Sequence, residues 1–288
     1  MFTNPLRKWA TALTLFAVGS GVSAYALFSK KRAGALALQL FSKPRAAKSR
    51  LHNQELLALS QAKSLSSGGD TIRYYHWQGD GPRVLLAHGW ESNASRWAPL
   101  VHALREQGYD ILAPDAPAHG QSGGAIFNVA LYSDVLKVLC SQYSPNLIIG
   151  HSAGGMAAVF MLHRFPEIAP ERLVLLSSPS ELEHLMDTFR RMVYMSGRTF
   201  AGMQEAFYEK YNWRMRDFSI QNFVQALTIP GLLIHDQQDA IVPLEEGLAI
   251  HQNWKGSRMV TTEGLGHSLP GERVLEEIMR YVGEKEPF

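Results

Sequence analysis

Short apolar runs alternate with amphipathic stretches along most of the chain, and this alternation limits the folds that it can adopt. Three stretches have the apolar spacing of helices, at 95–108, 128–143 and 154–164. The runs that suit buried strands are RVLLAHG (83–89), YDILAPD (109–115), NLIIG (146–150), RLVLLSS (172–178) and GLLIHD (231–236). Strands that alternate with helices of this length predict an α/β fold, with a mostly parallel sheet covered by helices on both faces.

The segment upstream of these runs carries signals for a hairpin and for a helix. TIRYYHW (71–77) is β-branched and aromatic and follows two glycines and an aspartate, which predicts a β-hairpin. Residues 33–63 form a basic connector with a helix-like segment, NQELLALSQAKSL. We therefore divide the chain into an N-terminal hydrophobic segment with its connector (1–50) and one large domain (51–288).

Residues 180–226 interrupt the alternation of strands and helices. They contain about three amphipathic helical segments with no strand between them, and five of the ten methionines of the chain. We interpret this stretch as a helical lid inserted between two strands. Methionine and aromatic side chains suit a soft apolar pocket, so we predict that Met192, Phe200 and Phe207 bind the substrate. Packing within the lid would need the same residue types.

A Gly-x-Ser-x-Gly motif lies in LIIGHSAGG (147–155), where a strand-like run meets a helix of small residues. Ser152 stands between Gly150 and Gly154. A nucleophilic serine must project while its backbone turns sharply, with φ above zero, so its close neighbours must lack side chains. A tight packing turn is the alternative, but the strand–turn–helix context favours a nucleophile elbow with Ser152 as the nucleophile.

A serine hydroxyl needs a histidine base, and the base needs a carboxylate that fixes its tautomer. On this type of fold the acid and then the histidine follow the serine along the chain. In LLIHDQQDAIVP we prefer Asp239, beyond the strand end, to Asp236, which lies at the strand end and serves the turn. His267 lies on a glycine-bracketed loop, whereas His251 lies in a helix-like segment. The sequence therefore predicts the triad Ser152, Asp239 and His267.

An acyl-transfer reaction also needs two preorganised N–H donors for the developing oxyanion. One is expected from the backbone of Ala153, the residue after the nucleophile. The other is expected from Trp90, because Gly89 allows the loop after VLLAHG to approach closely. A tight turn at the strand end would also explain this glycine, and both explanations can hold together.

Composition excludes several classes of protein. Apolar residues make up 46% and charged residues 19% of the chain, which is typical of a globular protein. Cys140 is the single cysteine, so neither an intrachain disulfide nor a cysteine zinc site can form. Residues 51–288 carry 19 basic and 26 acidic side chains, a net charge of −7, and no basic patch interleaved with aromatics. Nucleic acid is therefore not an expected partner.

The first fifty residues differ from the rest, with nine Lys or Arg and no Asp or Glu. Residues 9–28 form an uncharged run of 20 residues, long enough to span a membrane as a helix. Seven cations follow the run and favour a single anchor whose catalytic domain is cytoplasmic. A signal peptide cleaved after VSA (22–24), with export of the enzyme, is the alternative, and a helix that remains outside the membrane is another.

Five motifs together carry a resemblance to a known family: LLAHGW, PDAPAHGQS, GHSAGG, HDQQDAIVP and GLGH. In this order and spacing they resemble the α/β-hydrolase superfamily, and within it the bacterial lid-bearing hydrolases of the monoglyceride lipase and serine aminopeptidase-like kind. The resemblance covers about residues 65–285. It implies the same nucleophile, acid, base and oxyanion donors as above. Ala118 stands where the family pattern has a glycine.

These features predict a serine hydrolase that cleaves an ester or related acyl bond through an acyl-enzyme, with no metal and no organic cofactor. An apolar acyl ester is the expected small-molecule substrate. An acyltransferase or perhydrolase with the same triad is one alternative. A membrane-tethered, non-catalytic binding protein on the same fold is another, although a binding protein has no need of all three triad residues. The sequence leaves the oligomeric state open.

Overall fold

The computed structural model describes residues 5–44 and 53–284, with side chains from residue 13 onward. The described part of the chain divides into two compact units. The helical unit comprises Met1–Ser42 and Glu181–Ser219, and the sheet unit comprises Lys43–Ser180 and Ile220–Phe288. The connector cations Arg45, Lys48 and Arg50 lie outside the described residues.

The described residues contain eight strands and eleven α-helices. The strands are β1 (Gln61–Ser67), β2 (Asp70–Trp77), β3 (Arg83–Ala87), β4 (Asp110–Pro114), β5 (Leu147–His151), β6 (Arg172–Leu176), β7 (Gly231–Asp236) and β8 (Ser257–Thr262). The helices are α1 (Pro5–Phe28), α2 (Lys30–Phe41), α3 (Gln54–Ala58), α4 (Ala98–Glu106), α5 (Val129–Tyr143), α6 (Ala153–Arg164), α7 (Leu182–Met192), α8 (Gly197–Tyr211), α9 (Ile220–Phe223), α10 (Leu244–Asn253) and α11 (Glu272–Gly283).

All eight strands form one sheet in the order β1-β2-β4-β3-β5-β6-β7-β8. The pairs β1–β2 and β2–β4 are antiparallel, and every other pair is parallel. Every residue of β4, β5 and β7 is buried, which is why these strands are continuous apolar runs in the sequence. The structure confirms the α/β fold with its mostly parallel sheet. The carboxyl ends of β3, β5 and β7 therefore share one edge of the sheet.

The hairpin is confirmed, but the helix predicted over NQELLALSQAKSL is only partly correct. Helix α3 ends at Ala58, and β1 begins at Gln61 and pairs with β2 as far as Ser67 opposite Asp70. Every residue of β1 is exposed or half-buried, so its sequence lacks the apolar pattern of a strand. Backbone hydrogen bonds to β2 stabilise it as a strand, and tertiary pairing overrides the local helical preference.

The helical unit consists of α1, α2, α7 and α8 with the short 3₁₀ turn Met215–Asp217. A backbone bridge between Glu181 and Ser219 closes the base of the inserted segment. The described residues of 180–226 form helices and 3₁₀ turns without a long strand, and their role as a lid stays a prediction. The last part of this stretch, α9 and the 3₁₀ turn Val224–Ala226, belongs to the sheet unit.

The prediction that residues 9–28 span a membrane is not supported. Among the described residues, no helix has both the length and the mean hydropathy that crossing a membrane requires. The run does form most of helix α1, although the side chains of residues 9–12 lie outside the described part. Small and polar residues lower its hydropathy: Thr14, Gly19, Ser20, Gly21 and Ser23.

Candidate active site

A strained turn projects Ser152 from the end of β5 into the start of α6. Its φ is 52° and its ψ −123°, a conformation that side-chain-bearing residues rarely adopt. A Cβ at Gly154 would lie 2.2 Å from the carbonyl oxygen of Ala87 in β3, and one at Gly150 would lie 2.5 Å from Cα of Gly155. The glycines of the motif therefore let the helix start pack directly against the sheet, and this packing holds the turn.

A continuous line of hydrogen bonds joins the three predicted triad residues. Nε2 of His267 lies 3.0 Å from Oγ of Ser152, and Nδ1 of His267 lies 2.8 Å from Oδ2 of Asp239. An ionised carboxylate can only accept hydrogen bonds, so Nδ1 of His267 carries the proton. Nε2 is then the acceptor for the hydroxyl of Ser152. This is the arrangement in which a histidine can act as a general base.

The surroundings of Asp239 keep its carboxyl group ionised. Burial alone would raise the pKa of Asp239, but hydrogen bonds from His267 and from the backbone N–H groups of Val242 and Ile241 outweigh it, and the pKa lies below its ordinary value. The two N–H groups lie 2.9 Å from Oδ1, so Oδ2 is directed to His267. His235 lies nearby but donates its Nε2–H to the carbonyl of Val242.

Asp236 makes a different set of bonds, within the loops at the end of the sheet. Its Oδ2 accepts hydrogen bonds from the hydroxyl of Thr262 at 2.7 Å and the N–H of Leu265 at 3.0 Å. Its Oδ1 accepts from the N–H of Gln238 at 2.9 Å. Burial acts to raise the pKa of Asp236, but these hydrogen bonds lower it to about 2. Asp236 therefore orders the loop that leads to His267.

The loop after β3, with Gly89 and Trp90, lies against the elbow. A Cβ at Gly89 would lie 2.9 Å from Nδ1 of His151 and 3.0 Å from Cβ of Ser152, so only glycine allows this approach. The ring of Trp90 packs edge-to-face on His119 and Phe127, with centroids 5.5 and 5.3 Å away. Ala153 begins α6 directly after the nucleophile. Trp90 and Ala153 therefore stand on the two segments that flank Ser152, and their oxyanion role stays a prediction.

Two buried histidines fix the course of this loop. His88 donates from Nδ1 to the carbonyl of Gly89 at 2.7 Å and accepts at Nε2 from the N–H of Ala116 at 2.9 Å. His119 accepts at Nε2 from the N–H of Glu91 at 3.1 Å. Burial lowers the pKa of His88 well below its ordinary value and that of His119 to about 4. Both histidines are thus neutral and can accept these backbone hydrogen bonds.

Asp115 and Ala118 order the second loop, PDAPAHGQS. The carboxylate of Asp115 accepts hydrogen bonds from the N–H groups of Ala94 and Gln121, each at 2.8 Å. Ala118 has a φ of 63°, in the left-handed region that favours glycine. The backbone conformation that explains a glycine in the family pattern is therefore present here, and Ala118 adopts it.

His151 and Arg96 hold the loop that carries the base. His151, just before the nucleophile, donates from Nε2 to the carbonyl of His267 at 2.8 Å. Burial, followed by the charge of Arg96, lowers the pKa of His151 well below its ordinary value. A guanidinium nitrogen of Arg96 donates to the carbonyl of Ser268 at 3.2 Å. Two side chains of the sheet unit thereby fix the backbone on which the imidazole of His267 is mounted.

The three predicted substrate-binding residues all belong to the helical unit. The Met192 side chain is 41% exposed, and Phe207 is buried with its ring 4.9 Å from that of Tyr211. Phe200 is half-buried, and the guanidinium of Arg190 lies 5.8 Å from the centre of its ring. Their role in binding substrate stays a prediction.

The described residues offer no alternative centre for metal or thiol chemistry. In the ranges 5–44 and 53–284, no group of three or more His, Cys, Asp or Glu side chains could hold a metal ion. Cys140 is buried, and burial raises the pKa of its thiol to about 12. The supporting roles of His88, His119 and His151 were not predicted from the sequence. The only sequence signal for them is that each occurs within a motif that resembles the family.

Comparison with known proteins agrees with this fold. The family model described as the alpha/beta hydrolase family matches residues 84–279. The uncharacterized protein Rv2715 of Mycobacterium tuberculosis is 34% identical over 122 residues, which is 41% of this chain and 35% of that protein. The chain thus matches about a third of the length of that relative. The uncharacterized hydrolase YugF of Bacillus subtilis is 24% identical over 260 residues, covering 75% of this chain and 94% of that one.

A search of solved structures finds the same fold. An esterase from Exiguobacterium antarcticum superposes with a TM-score of 0.63 and 19% identity, covering 78% of this chain and all of the other. The family match spans well over half of the 288 residues. The chain therefore belongs to the alpha/beta hydrolase family, as its motifs suggested.

Proposed function

We propose that this protein is a serine hydrolase that cleaves a carboxylic ester or a related acyl bond through an acyl-enzyme intermediate. The observation that carries the proposal is the line of hydrogen bonds from Asp239 through His267 to Ser152, with heavy-atom distances of 2.8 and 3.0 Å. The fold itself does not require side chains from three separate loops to form a line of hydrogen bonds in the order acid, base, nucleophile. Membership of the hydrolase family supports the same reaction class.

In the first half of the proposed reaction, Oγ of Ser152 attacks the acyl carbon while its proton passes to Nε2 of His267. The new C–O bond converts the carbonyl into a tetrahedral oxyanion. The backbone N–H groups of Trp90 and Ala153 are the proposed donors to that oxyanion. His267 then gives its proton to the leaving alcohol, the bond to that oxygen breaks, and the acyl group remains on Ser152.

In the second half, water replaces the alcohol. His267 accepts a proton from the water, whose oxygen attacks the acyl carbon, and the collapse of the second tetrahedral intermediate returns the proton to Oγ of Ser152. The acid leaves, and the free enzyme is restored. The imidazolium formed twice in each turnover is stabilised by the ionised Asp239. Burial acts to raise the pKa of Asp239, but the hydrogen bonds from His267 and from the neighbouring N–H groups lower it.

An apolar acyl group is the proposed substrate class. Support comes from the helical unit, where large apolar side chains remain exposed to solvent: Met192, Tyr194, Tyr208 and Trp213. Exposed apolar surface of this kind is common at ligand and lipid binding sites. The unbranched Met192 side chain can adapt to chains of different length.

Labelling with a fluorophosphonate tests the nucleophile. We expect one covalent adduct per chain, located by mass spectrometry on Ser152 and lost in Ser152→Ala. Ser177→Ala is a matched control, because Ser177 also has a positive φ at a strand end, 46°, and its Oγ has no hydrogen-bond partner among the described residues. That variant should label normally. A folded Ser152→Ala protein that still forms the adduct would refute the assignment.

A panel of p-nitrophenyl esters from acetate to palmitate tests the substrate class. We expect kcat/KM to rise with chain length beyond acetate. Met192→Lys should reduce this preference while leaving acetate hydrolysis nearly unchanged. Leu248→Lys is the matched control, since Leu248 is a similarly exposed apolar residue on α10, at 37% exposure against 41% for Met192. Equal selectivity in both variants would remove Met192 from the substrate site.

A further inference from the structure

The helices of residues 13–42 pack closely against the inserted helices within the helical unit. A Cβ at Gly19 of α1 would lie 1.6 Å from the carbonyl oxygen of Val193. A Cβ at Gly34 of α2 would lie 2.0 Å from the carbonyl carbon of Gly202 in α8, and one at Gly202 would lie 2.4 Å from the carbonyl oxygen of Lys30. Each neighbour is backbone, which cannot move aside as a side-chain tip can. The contact therefore requires glycine at these three positions.

Specific hydrogen bonds join the same two segments. The N–H of Ser196, at the start of α8, donates to Oγ of Ser23 at 2.9 Å. Nε of Arg198 donates to the carbonyl of Ala26 at 2.9 Å. The first N–H groups of a helix lack partners within the helix, so α1 supplies an acceptor at the place where α8 needs one. Val22 and Ala26 are buried on the same face of α1.

Opposite charges set the register between α2 and α8. Nζ of Lys30 lies 2.6 Å from Glu205, and Nζ of Lys31 lies 2.7 Å from Glu209. Glu205 and Glu209 are one helical turn apart, so both pairs form only in one alignment of the helices. The first fifty residues contain no acid of their own. Two of their cations have partners on the insertion.

We propose that residues 13–42 stay in the mature protein as the packing partner on which the insertion 181–219 folds. The small residues that made the N-terminal run resemble a weak membrane segment or a signal peptide are a helix-packing surface. Cleavage after Ala24 would remove Gly19, Val22 and Ser23, leaving Val193 uncovered and the N–H of Ser196 without its acceptor. This proposal is independent of the proposed catalytic function.

Two glycines on the same helix give a matched pair of variants. Gly19 meets the backbone of the insertion, whereas Gly21 is exposed, and a Cβ there would have no atom within 4 Å. Replacing glycine with leucine raises the helix propensity by the same amount at both sites, so propensity cannot explain a difference between the two variants. We expect Gly19→Leu in the full chain to increase the rate of tryptic cleavage after Arg190, Arg191 and Arg198 at least about tenfold, because local opening exposes the insertion. Gly21→Leu should match the wild type.

Charge reversal provides a second, milder test for the case that Gly19→Leu fails to fold. Lys30→Glu should increase cleavage within 181–219, and adding Glu205→Lys should restore protection. The intact mass of the native chain should include residues 13–24. Three results would each overturn the proposal. All variants could be equally protected from trypsin, the double variant Lys30→Glu with Glu205→Lys could fail to regain protection, or the native chain could begin at Tyr25. None of these readouts uses enzymatic activity, so a wrong catalytic assignment would leave them unaffected.

Discussion

The two aspartates near His267 allow a sharp test of the triad, because they differ in the direction of their hydrogen bonds. In the native protein, the N–H groups of Ile241 and Val242 donate hydrogen bonds to Oδ1 of Asp239. In Asp239→Asn the side-chain oxygen must still accept these two hydrogen bonds. The amide NH₂ then faces Nδ1 of His267. The reverse orientation would place NH₂ against two backbone donors. The variant therefore forces Nδ1 to accept and puts the proton on Nε2, where it blocks proton uptake from Ser152.

The size of the effect follows from the tautomer. An imidazole with the proton on Nε2 cannot act as the base for the serine, and substitutions of this kind cost about 10⁴-fold in kcat. That factor corresponds to about 5 kcal/mol of activation free energy. Asp236→Asn should instead lose one or two hydrogen bonds to the loops and lower the free energy of unfolding by about 1–3 kcal/mol. Its kcat should fall by less than about tenfold, because no native bond of Asp236 reaches the imidazole.

Steady-state hydrolysis of p-nitrophenyl acetate gives kcat and KM for both variants, and urea unfolding gives their stability. We expect Asp239→Asn to lose kcat with little change in stability or KM, and Asp236→Asn to show the opposite pattern. The reasoning is refuted if Asp236→Asn loses more kcat than Asp239→Asn, or if Asp239→Asn retains more than about a tenth of the wild-type kcat.

Three further outcomes follow from the same geometry. Ser152→Ala and His267→Ala should each lower kcat by several orders of magnitude. Because the members of a triad act as a unit, the double variant should be hardly slower than either single variant. Additive losses of activity in single-turnover assays would contradict this expectation. Asp236 has a folded pKa of about 2 against an ordinary 3.8, so its stabilisation is complete above pH 3.8 and lost as the pH falls towards 2. Urea midpoints of the wild type should decline over that window, and those of Asp236→Asn should decline less. His151→Phe should lower kcat about tenfold at unchanged KM, because it releases the carbonyl of His267. His151→Gln, which can still donate a hydrogen bond to that carbonyl, should partly restore kcat. A change in KM alone would exclude a positioning role for His151.

Strands β3 to β7 could be located from the sequence to within one or two residues because burial on both faces makes each of them a continuous apolar run. Strand β1 could not be found in this way. Its residues are all exposed or half-buried at the sheet edge, and its conformation follows from pairing with β2 rather than from its own side chains. Local pattern therefore predicts the strands of the core and fails at the edge.

Some residues of the candidate site could be predicted from the sequence and others could not. The elbow, Asp239 and His267 could be proposed because their order along the chain follows from the fold, and the structure brings them within hydrogen-bond distance. The supporting roles of His88, His119 and His151 could not be proposed from the sequence. Their roles depend on contacts between distant loops, as when His151 binds the carbonyl of His267, 116 residues away. No period or motif in the sequence encodes such a contact.

The N-terminal helix shows what mean hydropathy alone leaves out. A window average registers how apolar a segment is, but it does not register which residues share a face. Gly19, Val22, Ser23 and Ala26 lie on one side of α1, with the spacing of a helix face. Gly19, Ser23 and Ala26 contact the inserted segment, and Val22 is buried beside them. Small residues reduce the apolar content of a segment and at the same time allow two helix backbones to approach closely. The low hydropathy and the tight packing of α1 therefore have the same cause.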